Sequence, residues 1–269
     1  MSDYQNIRLE YAPPVAKLTL ARGDKLNPLN WSTIKELKGA VAEIEGHDDI
    51  DFVILTGEGR AFSAGGDLEG YIHLYAHPNE FRAFLNDFFE MLNSIEAARA
   101  IWIAAVNGPC VAGGIELLLA CDMAVAADTA KISDGHLNFG QLPGAGGSQR
   151  LPRAIGMLRA KHLMLTGEMI FAEQAERWGL VTIVAPAAEL LSRVDALVRD
   201  MQGKSRVGLK GMKKLANMTL FEPYEHGLKL EMDYVHTYAT TEPDATEGLM
   251  AFKEKRAPAF KGPRSGDWK

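Results

Sequence analysis

Short apolar runs alternate along most of the chain with longer stretches in which apolar positions recur every three or four residues. Val15–Leu20, Phe52–Thr56, Ile101–Val106, Met123–Ala127 and Val181–Val184 have strand length and predict β-strands. Between the first two, Ile34, Leu37, Val41 and Ile44 fall on one helical face, with Ser32 placed to cap the helix and Gly46 to stop it. Phe81–Ile95 and Ala172–Trp178 predict further helices, the second ended by Gly179 immediately before a strand. Such alternation indicates an α/β protein rather than a bundle or a sandwich. Near residue 200 the strand-like runs stop. Leu209, Met212, Leu215, Tyr224, Leu228, Met232 and Tyr234 then suggest helices, which divides the chain into an α/β core, residues 1–198, and a helical C-terminal module, residues 199–269. Arg264–Lys269 reads as a frayed tail.

Composition narrows the function without assigning one. At 269 residues and 47% apolar, the chain can bury a core without staples. Cys110 and Cys121 lie in apolar runs and read as buried thiols of a reducing compartment, not as a disulfide or a metal pair. A net charge of -6 provides no basic face to neutralise phosphates, so nucleic acid is not an expected partner. No apolar run approaches the roughly eighteen residues of a membrane span, and the N-terminus lacks the pattern of a secretory signal. The expectation is a cytoplasmic protein without a membrane partner.

The candidate chemistry lies where glycines follow predicted strands. Phe52–Thr56 leads into Arg60-Ala-Phe-Ser-Ala-Gly-Gly-Asp67, and Ile101–Val106 leads into Asn107-Gly-Pro-Cys-Val-Ala-Gly-Gly-Ile-Glu116. A glycine pair lets backbone N–H groups approach a ligand with no Cβ in the way, and a helix starting there adds positive potential. Either turn can hold an anion, or serve only tight packing. Glu116 distinguishes the second turn: it stands three residues after Gly113 in an otherwise apolar helix start, on the face from which the Gly113 N–H projects. A carboxylate in apolar company has a raised pKa and is a candidate acid or base, with interaction at the helix N-terminus as its bland alternative.

Phe62-Ser-Ala-Gly-Gly-Asp67, Ala105-Val-Asn-Gly108 with Gly113-Gly-Ile-Glu116, Leu142-Pro-Gly-Ala-Gly-Gly-Ser-Gln-Arg150, Leu165-Thr-Gly167, Ala175 to Val181 and Phe252-Lys-Glu-Lys-Arg256 together resemble the crotonase (enoyl-CoA hydratase/isomerase) superfamily, over essentially the whole chain. The resemblance implies a crotonase-like spiral of ββα units with a helical C-terminal region, assembled as homotrimers or, by pairing of trimers, homohexamers. It implies that the N–H groups of Gly66 and Gly113 form an oxyanion hole for the thioester oxygen of an acyl-CoA. Each such donor is worth about 3–4 kcal/mol to the enolate. It also implies CoA contacts at Lys25, Ala64, Asp67, Phe252 and Lys255, with coenzyme A entering as part of the substrate and neither a metal nor another cofactor needed.

One departure bears on the reaction. Hydratases of this family resemble one another in using two glutamates. Glu116 fills the first position, and the second falls on His136, in Ile132-Ser-Asp-Gly-His136. His136 can still move a proton, with Asp134 close enough to orient it or to enter the pocket in its place. The same stretch is similar to that of crotonases that cleave carbon–carbon bonds in β-diketones, although Ala145 stands where their second acid would be. The expected activity is therefore enoyl-CoA hydration or its reverse. Double-bond isomerisation and hydrolytic or retro-aldol C–C cleavage are alternatives, and a non-catalytic acyl-CoA-binding subunit is a reading of a different class. The aromatic-rich segment Leu68–Met91 is expected to shape an apolar or ring-binding acyl pocket, His73 and His77 to face solvent, and Arg150 to serve structure.

Overall fold

The computed structural model of the protein describes residues 4–262, so the predicted tail Arg264–Lys269 lies outside the described residues. The chain divides into two compact units, Met1–Asp195 and Ala196–Lys269. The first holds strands β1 (Ile7–Ala12), β2 (Val15–Leu20), β3 (Phe52–Gly57), β4 (Ile101–Val106), β5 (Cys110–Val111), β6 (Met123–Ala127), β7 (Lys131–Ser133), β8 (Ile170–Phe171) and β9 (Ile183–Ala185). Its helices are α1 (Trp31–Glu45), α2 (Leu68–Ala76), α3 (Pro78–Ala97), α4 (Gly113–Leu119), α5 (Gly147–Ile155), α6 (Met157–Thr166) and α7 (Ala172–Trp178). Helix α8 (Leu190–Gln202) crosses the boundary, and the second unit continues with α9 (Arg206–Met218), α10 (Tyr224–Thr241) and α11 (Pro243–Glu254).

Six strands form the main sheet in the order β1-β2-β3-β4-β6-β9, and β5-β7-β8 form a small second sheet. Only the β1–β2 hairpin is antiparallel in the main sheet; β2 through β9 run parallel, as helical crossovers require. Strand β4 is buried along its whole length, which explains its unbroken apolar run, Ile101–Val106. The strand ends after β3 and β4 point the two glycine turns to the same edge of the sheet, where ligands bind in parallel α/β folds.

Most predicted elements are present, and helices α2 and α6 and several strands stand beside them unpredicted. Asn30, not Ser32, caps α1, accepting from the Thr33 N–H at 2.8 Å, because the helix begins at Trp31, two residues before the start that a Ser32 cap implies. The last strand of the main sheet is Ile183–Ala185, so Leu180, Val181 and Thr182 separate it from Gly179. Strand β1 was not predicted: it is an edge strand in which only Ile7 is buried. Strands β5, β7 and β8, of two or three residues, are too short to show a period. Cys110 is buried and Cys121 half-buried, and neither is joined in a disulfide.

In the second unit, Asp244 is buried and accepts from Ser205 Oγ at 2.7 Å and from the Lys261 and Gly262 N–H groups, tying the end of the described chain to α9 and α11. No helix among the described residues is long and apolar enough to cross a membrane.

Candidate active site

The loop after β3 is held from both sides. Asn27 donates through Nδ2 to the carbonyls of Ala61 (2.8 Å) and Phe62 (3.2 Å), and Ser63 Oγ donates to the Asn27 carbonyl at 2.8 Å. On the other side the Ser63 N–H donates to Pro109 O (3.2 Å) and the Val111 N–H to Ser63 O (3.0 Å), so the two glycine turns pair like strands. Gly65 is required where they meet. Its φ is +94°, and a Cβ there would lie 2.8 Å from Val111 O and from Ala112 Cβ, and 3.3 Å from Gly113 N. Ala112, with φ 50° and ψ −116°, turns the chain into α4 and stores strain at this point. The N–H groups of Gly66 and Gly113 have no hydrogen-bond partner among the described residues, so both remain available to a ligand.

Glu116, on the first turn of α4, is 1% exposed. Its Oε1 accepts from the Ala145 N–H at 2.9 Å and the Gly147 N–H at 2.8 Å, both in the turn that opens α5. Burial raises its carboxyl above the usual range; the Gly147 N–H, His136 and the Ala145 N–H oppose the rise, and Asp134 adds to it. Oε2 lies 3.9 Å from His136 Nε2. That is too far for a direct hydrogen bond and close enough for one small molecule to touch both.

Behind the imidazole, Nδ1 approaches Asp134 Oδ2 to 3.2 Å, off the line of a hydrogen bond, and Asp134 Oδ1 is buried with no hydrogen-bond partner among the described residues. Burial alone would lower the pKa of His136, but the carboxylates of Asp134 and Glu116 outweigh it and the net shift is upward. The structure thus brings Glu116, His136 and Asp134 together as the sequence suggests, with Asp134 behind the histidine.

Glu116 and His136 open on a cavity of about 640 Å³. Its walls include Lys25, Ala64, Gly66, Asp67, Ala112, Glu116 and His136, while Gly113 itself is closed over by Leu29 and Phe88 on its Cα side. Asp67 is already engaged: it caps α2 by accepting from the Gly70 N–H (3.3 Å) and pairs with Arg22 at 3.4 Å. Tyr71, Tyr75, Phe81, Phe84 and Phe88 line the same cavity, as expected of the aromatic segment. Phe84 and Phe88 also belong to the buried core. Tyr71 packs against Gly66, where a Cβ would come 2.4 Å from its ring and hydroxyl. His73 and His77 are exposed. In the second unit, Phe252 is 87% exposed on α11 and Lys255 follows the helix as its left-handed cap.

Residues 10–263 match the family described as enoyl-CoA hydratase/isomerase. The chain belongs to this family. It is 39% identical over 257 residues to "Probable enoyl-CoA hydratase echA8" of Mycobacterium tuberculosis, covering 96% of this chain and 98% of that protein. It is 36% identical over 259 residues to "Crotonyl-CoA hydratase" of Syntrophomonas wolfei, with the same coverage of both chains. The crystal structure of enoyl-CoA hydratase from Bacillus anthracis superimposes with a TM-score of 0.89 at 34% identity, covering 96% of this chain and 100% of that one. Family membership and this superposition establish the crotonase fold.

The sequence did not reveal the two donors that hold Glu116. Ala145 and Gly147 act through main-chain N–H groups, which no side chain advertises; the only signal was the glycine-rich turn Pro143-Gly-Ala-Gly-Gly147 itself.

Proposed function

We propose that the protein is an enoyl-CoA hydratase, a lyase that adds water reversibly across the 2,3 double bond of an acyl-CoA thioester. The observation that carries this reading is the 3.9 Å gap between Glu116 Oε2 and His136 Nε2 at the wall of the cavity, where one water can be held by both. Glu116 accepts a proton from the water as its oxygen bonds C3, and a proton is delivered to C2, with His136 as the partner in that division of labour. Charge passes through the thioester oxygen between the two events. The unpartnered N–H groups of Gly66 and Gly113 are suited to meet it there.

Lys25, Ala64 and the backbone around Asp67 contact the coenzyme A portion on this reading, because the carboxylate of Asp67 is committed to its cap. Phe252 and Lys255 contact its nucleotide end, as in the resemblance. Trimers paired into hexamers belong to the same reading, and sedimentation analysis checks them.

A second reading is favoured by one specific observation. The buried, unpartnered Oδ1 of Asp134 and its Oδ2 beside His136 Nδ1 form an acid–imidazole pair of the kind that activates water for C–C hydrolysis of a β-oxoacyl-CoA. Incubation with crotonyl-CoA, an isomerisable 3-enoyl-CoA and a cyclic β-oxoacyl-CoA in heavy-oxygen water distinguishes these activities by product mass. Label gained without chain cleavage supports hydration. Label gained with cleavage supports hydrolysis, and a mass-neutral product means isomerisation. Binding of all three esters with no turnover would leave only an acyl-CoA-binding protein.

A further inference from the structure

The turn Pro143–Gly147 supplies both N–H donors to Glu116, and its glycines are explained by what lies against them. A Cβ on Gly144 would come 2.7 Å from Leu85 Cδ2 on α3, and one on Gly146 would come 2.1 Å from Arg150 Nη1. On Gly147 it would meet Glu116 Cγ and Oε1 at 3.1 Å. The turn is wedged between α3, the guanidinium of Arg150 and the carboxylate.

Arg150 has a side chain only 12% exposed, and its plane spans the distance from α3 to the turn. Nη1 donates to the Ala145 carbonyl at 2.7 Å. Nε and Nη2 make a two-pronged pair with Glu96 at 2.7 and 2.9 Å, and Nη2 also donates to Asn93 Oδ1 at 2.8 Å. Asn93 and Glu96 stand on the last two turns of α3. Four of the five guanidinium donors are thus in use, in fixed directions that a lysine could not reproduce.

We propose that Arg150 is a positioning residue for Glu116: by tying the Ala145 carbonyl to α3, it keeps the Ala145 and Gly147 N–H groups on Oε1 and leaves Oε2 free toward His136. This rests on the reading of Glu116 as the base. Backbone N–H bonds favour the ionised carboxylate, so a loosened turn raises the pH at which Glu116 ionises. The other titratable groups acting on it are His136 and Asp134, and Tyr71 from α2 feels its charge in return. None of them bonds to Arg150.

The test uses Arg150→Met, Arg150→Lys and Glu96→Gln in the full chain. Two readouts are taken: the pH dependence of kcat/KM with crotonyl-CoA, and the ionisation of Glu116 by carbon-13 NMR of labelled glutamate, assigned with Glu116→Gln. In R150M the acid limb and the NMR midpoint both move to higher pH, kcat at neutral pH falls about tenfold or more, and KM changes little. E96Q moves the same way by less, and R150K rescues only part. E96Q carries the test if R150M does not fold, since it keeps the arginine and weakens its anchor. A Glu116 midpoint unmoved in folded variants, with only the melting temperature lowered, reduces Arg150 to packing and overturns the proposal. Failure of the wild type to hydrate crotonyl-CoA instead sinks the functional reading, and the NMR midpoint still decides the role of Arg150.

Discussion

Glu116→Gln exchanges one carboxylate oxygen for an amide nitrogen and leaves the shape of the site in place. In the wild type, Oε1 takes two main-chain bonds, at 2.9 and 2.8 Å, and Oε2 faces His136. The amide oxygen of glutamine accepts the same two bonds, so no buried N–H is orphaned and only proton acceptance is lost. A positioned general base contributes about a hundredfold to ten-thousandfold, so kcat falls by that factor, equivalent to about 2.7–5.4 kcal/mol of barrier. Stability moves the other way. Burial raises the folded-state pKa of Glu116 above its ordinary 4.5, so the stability linked to its protonated form is present below that value and drains away as pH rises through the folded value. Glutamine does not titrate. The melting temperature of E116Q relative to wild type therefore climbs as pH rises from about 4 toward neutrality. Glu116→Ala is the contrasting control: it leaves two buried N–H groups without an acceptor, at about 1–3 kcal/mol each, and costs about 2–6 kcal/mol. Loss of enoyl absorbance with crotonyl-CoA measures turnover, and thermal melts across that pH range measure the linkage. Turnover by E116Q within about tenfold of wild type would remove Glu116 from the chemistry. A melting difference independent of pH would contradict the raised ionisation.

Three further outcomes follow from the same geometry. Gly113→Pro deletes one main-chain donor and lowers kcat about a hundredfold to a thousandfold. Gly113→Ala keeps the N–H, meets only the end of Leu29 at 3.2 Å and the Phe88 ring at 3.5 Å, and stays active; equal activity of the two variants, each shown to be folded by circular dichroism, would contradict the oxyanion hole. Gly65→Ala forces a Cβ into positive φ and against the Val111 carbonyl, which costs about 2 kcal/mol or more by denaturant titration, and a neutral result would show that the turns can part. Asp134→Asn removes one of the charges that raise His136, so the alkaline limb of the rate profile moves to lower pH. The stability His136 draws from that charge is present below about 6.5 and lost as pH rises through its folded value, so the destabilisation of D134N is greatest in acid. An alkaline limb that stays in place would put Asp134 outside the pair.

The apolar face of α1 and the buried run of β4 were legible because local periodicity reports burial directly. The edge strand β1 and the short strands β5, β7 and β8 were missed: exposure weakens the pattern in the first, and two or three residues cannot carry a period in the others. Glu116 was legible as chemistry, since a carboxylate in an apolar helix start is conspicuous by type, whereas His136 was marked by the family resemblance, which puts it where hydratases carry their second glutamate.

Residue order alone determined the α/β class, the two glycine turns and Glu116 as a candidate acid or base, because these depend on side-chain type and near-neighbour spacing; His136 and Asp134 came from the family resemblance. Only the tertiary structure decided that the carboxylate and the imidazole stand 3.9 Å apart, that Asp134 lies behind the ring, and that two main-chain amides from a turn some thirty residues on hold Glu116. Those relations join segments distant along the chain through backbone groups common to every residue. Their direction is set by packing, and packing leaves no local mark in the sequence.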